Sequence, residues 1–243
     1  MQPINFDRYR NIVILTGAGI SVASGIRPFR GQGGLSDEID PLQHSDCSLI
    51  ETNPIAIWQF YGILREQLKT AQPNAAHLKL AEIEERLSPN QQFTLITQNI
   101  DGLHQRAGSS NVLEIHGNVN RTRCSNLSCS ITPFSDSESH DRALPMCQIC
   151  GSTLRPDIVL FGEQLPVKES WLAKRSLRDC DLFIAIGTSG TVSPASSFVR
   201  SADYAGARTI LINLEPMAPK NPYFKEEYLG CAEEIVPLIF GSM

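Results

Sequence analysis

Residues Ile12-Val13-Ile14-Leu15 form an unbroken, largely β-branched run with no polar side. Such a run fits a strand buried on both faces, as in a parallel sheet covered by helices. Directly behind it stands Thr16-Gly17-Ala18-Gly19-Ile20-Ser21. Its two glycines permit a sharp turn and a close backbone approach to a ligand. A helix following the turn would aim free N–H groups and its positive dipole end at an anion, most naturally a pyrophosphate. The turn is not the full G-x-G-x-x-G of dinucleotide-binding folds. Arg27-Pro28-Phe29-Arg30-Gly31-Gln32-Gly33-Gly34 follows, and reads as a mobile loop able to close over a charged ligand.

A chain of 243 residues can bury one sizeable core and carry a small satellite. Its formal net charge of -5 argues against a broad nucleic-acid-binding face. The first residues, MQPINFDRYRN, have no apolar signal-peptide core, and no window approaches the apolar length of a membrane span, so a cytoplasmic protein away from membranes is expected. Of seven cysteines, four lie in two close pairs, which points to metal rather than disulfides. Cys47, Cys180 and Cys231 are expected as small buried hydrophobes.

Short apolar strands and helical patterns alternate along the rest. Helices are predicted over 54–70, with Asn53 as N-cap, and over about 75–87, capped by Asn74. Further helices are expected before Ala107 and near 168–179, 194–205 and 231–240. Strands are expected at Phe93–Thr97, Val112–His116, Asp181–Ile186 and Thr209–Ile212. This alternation implies parallel crossovers. The fold class is α/β: a Rossmann-like doubly wound parallel sheet with a small zinc-binding domain inserted. The domains read as 1–117 with 158–243, interrupted by a helical excursion at about 35–90, and a zinc ribbon at 118–157.

Each strand ends in polar residues: Gly17-Ala18-Gly19, Gln98-Asn99-Asp101, His116, Gly187-Thr188-Ser189 and Asn213-Leu214-Glu215. Ligands of open parallel sheets bind beyond the carboxyl ends of the strands, so the clusters should meet at one edge. Asn99 and Asp101 would present an amide and a carboxylate, the latter favouring a nearby cation. His116 is the candidate general base, since its ordinary pKa lies near neutrality. His44, His77, His104 and His140 have no comparable setting. Cys124-x4-Cys129 and Cys147-x2-Cys150, seventeen residues apart, have the spacing of a closed four-thiolate zinc site, structural rather than catalytic.

Taken in order, Gly17–Ser21, Thr97-Gln98-Asn99-Ile100-Asp101-Gly102-Leu103-His104, His116-Gly117, the cysteine pairs, Phe161-Gly162-Glu163, Gly187-Thr188-Ser189 and Asn213-Leu214-Glu215 resemble the sirtuin family over nearly the whole chain. The resemblance implies an NAD-dependent protein lysine deacylase that transfers the acyl group to ADP-ribose. It implies two catalytic residues, His116 and Asn99. The implied cofactor residues are Gly17, Ala18, Gly19, Ser21, Phe29, Arg30, Gln98, Ile100 and Asp101, with Gly187, Thr188, Ser189, Asn213, Leu214, Glu215, Cys231 and Ala232 on the adenosine side. Val159, Phe161, Gly162 and Val192 would hold the acyl-lysine peptide as an added strand, with Tyr61 and Leu64 at the acyl group. One structural zinc ion and a monomeric state are expected.

Members of the family that remove succinyl or malonyl groups carry Tyr-x-x-Arg on the helix that here reads Tyr61-Gly62-Ile63-Leu64. Leucine stands in the arginine position, and Arg65 points about 100° further round. Neutral acyl groups, acetyl foremost, are therefore expected over succinyl, unless Arg65 compensates. Two other readings are an ADP-ribosyltransferase or NAD glycohydrolase on the same fold, and a zinc-ribbon binding module with a degenerate cofactor site. Sequence-specific nucleic-acid binding is not expected.

Overall fold

The computed structural model of the chain describes residues 3–28, 41–190, 193 and 195–241, the side chains of 41 and 42 excepted. Its strands are β1 (Asn11–Thr16), β2 (Gln92–Thr97), β3 (Val112–Glu114), β4 (Gly117–Cys124), β5 (Phe134–Ser135), β6 (Leu154–Ile158), β7 (Leu182–Ile186), β8 (Arg208–Asn213) and β9 (Glu226–Leu229). Its helices are α1 (Pro41–Ser45), α2 (Leu49–Thr52), α3 (Pro54–Thr70), α4 (Ala75–Arg86), α5 (Leu103–Arg106), α6 (Val167–Arg178), α7 (Phe198–Tyr204) and α8 (Ala232–Phe240).

Six strands pair in parallel in the order β3-β2-β1-β7-β8-β9. The order reverses direction between β1 and β7, so the crevice at the carboxyl ends of those two strands is the topological switch point. Burial on both faces explains the lack of alternation in β1. Ile12 and Ile14 join Leu80, Ile83, Val236 and Ile239 in a core under α4 and α8, while Val13 and Leu15 join Ala173, Leu177, Phe198 and Val199 under α6 and α7.

The inserted segment forms a second, antiparallel sheet, β5-β4-β6. Helix α3 packs against β4 and β6 of this sheet. One side of the helix packs Ile57, Tyr61 and Leu68 with Leu103, Val119, Ile158 and Leu160. Trp58 instead lies with Cys124, Cys147 and Leu154 beneath the cysteine cluster.

Several expectations need correction. The helix expected after the glycine turn is present, Ala18–Ser24, and is of the 3-10 type. The helix expected over 194–205 is a 3-10 turn, Ala195–Ser197, running into α7. Asn53 makes no side-chain cap to α3, whereas Asn74 makes a full capping box with His77. Cys180 is buried as expected, but Cys47 and Cys231 are half-buried. The strand ending at His116 stops at Glu114, and His116 occupies the tight turn into β4.

Candidate active site

The turns after β1 and β7 touch through glycine. Gly17 N donates to Ile186 O at 3.0 Å and Gly19 N to Gly187 O at 2.9 Å. A methyl carbon placed on Gly19 would sit 2.7 Å from Gly187 Cα, closer than packed atoms tolerate. Neither Gly17 nor Gly19 has positive φ. Gly19 is thus required by backbone-to-backbone contact across the switch point, beyond any approach to a ligand.

Gln98 and Thr188 join the next clusters: Gln98 Nε2 donates to Thr188 Oγ1 at 2.9 Å. The Gln98 carbonyl meets His116 Nδ1 at 2.9 Å. A carbonyl can only accept, so Nδ1 carries the proton and Nε2 keeps its lone pair. Burial pushes the His116 pKa below the ordinary histidine value, and the Gln98 bond opposes this only in part. At neutral pH the ring is uncharged, with one nitrogen able to take a proton.

Asn99 is nearly buried and gives both amide hydrogens to the protein, to Gly17 O and to Ser21 Oγ, each at 3.1 Å. No hydrogen bond reaches its Oδ1 among the described residues. Asp101 departs from expectation. Its Oδ2 accepts from Ser21 Oγ at 2.7 Å and its Oδ1 from Leu103 N at 2.9 Å, so the carboxylate braces the site instead of standing free for a cation. Burial raises its pKa, opposed by those two bonds.

Two histidines without an evident setting in the sequence lie directly behind this cluster. His77 Nδ1 accepts from Asn74 N, so its Nε2–H faces Ser21 Oγ at 3.4 Å. Burial lowers the His77 pKa to about 4. His104 Nε2 lies 2.9 Å from Thr16 Oγ1, which itself donates to Thr97 Oγ1 at 2.9 Å, and Thr97 Oγ1 accepts from Asn99 N. The two rings pack at 4.8 Å between centroids. The capping pattern Asn74-x-x-His77 was the local clue to His77; His104 closes the Thr97–His104 motif, which gave it no role.

Around the rim, Ala18 and Ile100 are half-buried, Thr188 is buried and Ser189 is exposed. On the far side, Gly230 N donates to Asn213 O at 2.9 Å, which brings half-buried Cys231 and buried Ala232, at the start of α8, beside the end of β8. Leu214 and Glu215 project as exposed residues just beyond. Phe29, Arg30 and Val192 lie outside the described residues.

The Val159–Glu163 edge is fixed from behind. Val159 N donates to His116 O at 2.9 Å, Phe161 N to Ser45 O at 2.7 Å, and Cys47 N to Phe161 O at 2.9 Å. Gly162, exposed, follows directly. Glu163 receives both terminal nitrogens of buried Arg155 at 2.7 Å and the Leu160 N–H at 2.8 Å. Burial alone would raise the Glu163 pKa, but Arg155 outweighs it and holds the carboxyl below the usual range.

Tyr61 and Leu64 border the same apolar cluster as Ile158 and Leu160. The Tyr61 hydroxyl bonds Ser45 Oγ at 2.8 Å, and burial pushes its pKa up to about 12. Of this cluster Arg65 bonds the Val119 carbonyl and no side chain. It is fully buried and donates to Val119 O (2.7 Å), Glu138 O (2.6 Å), Arg121 O (3.0 Å) and Thr122 Oγ1 (2.9 Å), with Asp136 Oδ2 at 3.2 Å. Its guanidinium also lies 4.8 Å over the Trp58 ring. All its hydrogen-bonding capacity serves to join α3 to the small sheet.

Cys124, Cys129, Cys147 and Cys150 converge, with all sulfurs within 4.8 Å of one another. Cys124 and Cys150 Sγ are 3.5 Å apart, and Cys129 and Cys147 Sγ 3.7 Å. Tetrahedral zinc with Zn–S of about 2.3 Å requires about 3.8 Å between sulfurs, so the donor set fits a structural zinc ion.

Comparison with known proteins agrees with this geometry. The profile of the Sir2 family matches residues 17–194. An NAD-dependent protein deacylase of Aquifex aeolicus is 43% identical over 205 residues, 84% of this chain and 84% of that protein. The crystal structure of a Sir2 homolog–NAD complex superposes with a TM-score of 0.86 at 34% identity, covering 99% of this chain and 94% of that one. A Sir2 protein holding a deacetylated peptide and 3′-O-acetyl ADP-ribose gives a TM-score of 0.83 at 32% identity, covering 95% and 92%.

Proposed function

We propose that this chain, which belongs to the Sir2 family and is an NAD-dependent protein deacylase, removes acetyl and longer neutral acyl groups from lysine in preference to succinyl. The observation that carries the preference is the full engagement of Arg65 with Val119, Arg121, Thr122, Glu138 and Asp136. No cation is left on that turn of α3 to meet an acyl carboxylate, and the Tyr61 hydroxyl already bonds Ser45. A carboxylate brought beside Leu64 would lose its hydration without a partner, a cost of several kcal/mol.

NAD, when bound, supplies an anomeric carbon bearing a cationic nicotinamide leaving group, which the acyl oxygen of the substrate can displace. The residues of the chain hold and exclude. Gly17, Ala18, Gly19, Ser21, Phe29 and Arg30 would take the pyrophosphate side, and Gly187, Thr188, Ser189, Asn213, Leu214, Glu215, Cys231 and Ala232 the adenosine side. Gln98 and Ile100 would flank the ribose and nicotinamide, with Asp101 acting through Ser21. Asn99, its amide hydrogens already given to Gly17 and Ser21, offers Oδ1 to a hydroxyl or carboxamide of the dinucleotide. His116 Nε2 takes the proton of a ribose hydroxyl, because the Gln98 carbonyl keeps the other ring nitrogen protonated. Val159, Phe161, Gly162 and Val192 would form the edge that holds the peptide. Products are nicotinamide, O-acyl-ADP-ribose and free lysine.

The test is a panel of acetyl, butyryl, lipoyl and succinyl peptides at equal NAD, run with the native chain and with Leu64→Arg. The native chain should favour the neutral groups, and Leu64→Arg should gain succinyl turnover. Equal native turnover of succinyl and acetyl peptides overturns the preference.

A further inference from the structure

Helix α6 carries a face that neither the cofactor nor the acyl group uses. Lys168, Trp171, Lys174, Arg175 and Arg178 are all exposed, together with Val167. At about 100° per residue these six positions occupy an arc of about 120°. Ala173 and Leu177, on the other side of the helix, are buried in the core. The arc contains four cations and no acid, on a chain whose net charge is -5. None of the four has a carboxylate partner among the described residues. Arg175 instead lies 5.3 Å over the ring of Trp171, which is 58% exposed. An exposed tryptophan beside a stacked arginine is the composition of an interface anchor rather than of an ordinary solvated face.

Position gives the face a use. Helix α6 begins four residues after Glu163, the end of the edge fixed by His116, Ser45 and Cys47. It then leads back to the start of β7, so its first turn lies towards the carboxyl rim of the sheet and its last away from it. The span from Lys168 to Arg178 is about 15 Å, the length of about five extended residues.

We propose that this face of α6 is an exosite for an acidic segment of the protein substrate, about five residues long, lying outside the stretch that enters the acyl-lysine cleft. The inference rests on the peptide-edge reading above. Cations along α6 would meet the carboxylates, and Trp171 an apolar side chain among them. The source of anionic charge is a polypeptide, because the face continues from the edge where a polypeptide is held.

The test compares an acetyl-lysine peptide bearing a five-residue Glu/Asp tail, on either side of the lysine, with the same peptide bearing a Ser/Gly tail. Native protein at low salt should favour the acidic substrate by about fivefold to thirtyfold in kcat/KM through KM, as expected for four exposed ion pairs. The advantage should shrink at 150 mM salt. K168E/K174E/R175E/R178E should abolish it and leave the neutral peptide unaffected, and Trp171→Ala should reduce it with all cations in place. Equal handling of both tails by the native chain overturns the proposal. So does an equal loss on both substrates in the variants, or tighter binding of a single-stranded oligonucleotide or anionic vesicle than of the acidic tail. If no peptide is deacylated, the deacylase reading fails by itself. Anisotropy of a labelled acidic peptide then decides the surface: binding lost on charge reversal supports it, and no binding by the native chain refutes it.

Discussion

Replacing Arg65 by leucine separates a structural arginine from a substrate-binding one. The variant deletes the 3.2 Å contact to Asp136 and every donor serving Val119 O, Arg121 O, Glu138 O and Thr122 Oγ1. Removing one partner of a buried ion pair costs about 3–5 kcal/mol, and each buried carbonyl left unpaired about 1 kcal/mol or more. Asp136 keeps its bonds from Thr122 Oγ1 (2.6 Å), His140 Nε2 (2.9 Å) and Glu138 N (3.0 Å), so the carboxylate itself is not stranded. Water would also reach some of the freed carbonyls. The expected loss is therefore about 4 kcal/mol, below the roughly 6–8 kcal/mol that these terms sum to, and about 10³ in the folding equilibrium. Urea unfolding of the zinc-loaded protein, followed by near-ultraviolet circular dichroism, measures it. Acetyl and succinyl turnover of the fraction still folded should fall together. A stability within about 1 kcal/mol of native, with succinyl turnover selectively altered, would refute the structural reading and return Arg65 to the acyl pocket.

Acid should destabilise the fold through the histidines behind the site. His77 has a folded pKa of about 4 against 6.5 when free, so the unfolded chain binds its proton first and stability falls as pH drops from about 6.5 to about 4. The 2.5-unit difference corresponds to about 3 kcal/mol at most. His77→Gln should flatten that slope, and an unchanged slope would show that His77 is not responsible. Removing zinc with a chelator should open the small sheet and expose Trp58, which is buried beside Cys124 and Cys147, giving a red-shifted emission that zinc restores. An unshifted emission from a verified metal-free protein would contradict the packing. Gly19→Ala should cost about 1–3 kcal/mol and weaken NAD binding, because its methyl meets Gly187. Gly25→Ala, at φ 83° with open space around it, should cost about 1 kcal/mol and leave NAD binding alone. Equal effects on NAD affinity would refute the distinction.

The doubly wound sheet was legible because its strands are buried on both faces. Ile12–Leu15 and Leu182–Ile186 show as continuous apolar runs, and Phe93–Ile96 as one broken only by Thr94, each ending in the polar residues that meet at the rim. Strand β9 escaped because Glu226-Glu227-Tyr228-Leu229 sits at the sheet edge, half-exposed and charged, with no apolar run to mark it. The small sheet escaped for a related reason: β4 reads Gly-Asn-Val-Asn-Arg-Thr-Arg-Cys, with Val119 its one aliphatic side chain, and its carbonyls are bonded by Arg65 from α3. The four cysteines were legible from spacing alone, since zinc fixes it. Long-range bonds were not. Arg65 to Val119, Arg155 to Glu163 and His104 to Thr16 depend on which surfaces the fold brings together, and no local pattern encodes that.

His116→Ala, with NAD binding by calorimetry and acetyl-peptide turnover measured on the same preparation, tests the proposed role of His116 most directly. Turnover should fall by about 10²–10⁴, while NAD affinity stays within about threefold. In the native chain the acid limb of kcat/KM should titrate below the ordinary histidine value of 6.5, in line with the burial of the ring. Substantial turnover by the variant, or loss of NAD binding in step with activity, would contradict a base acting through Nε2 and make His116 a structural residue of the turn.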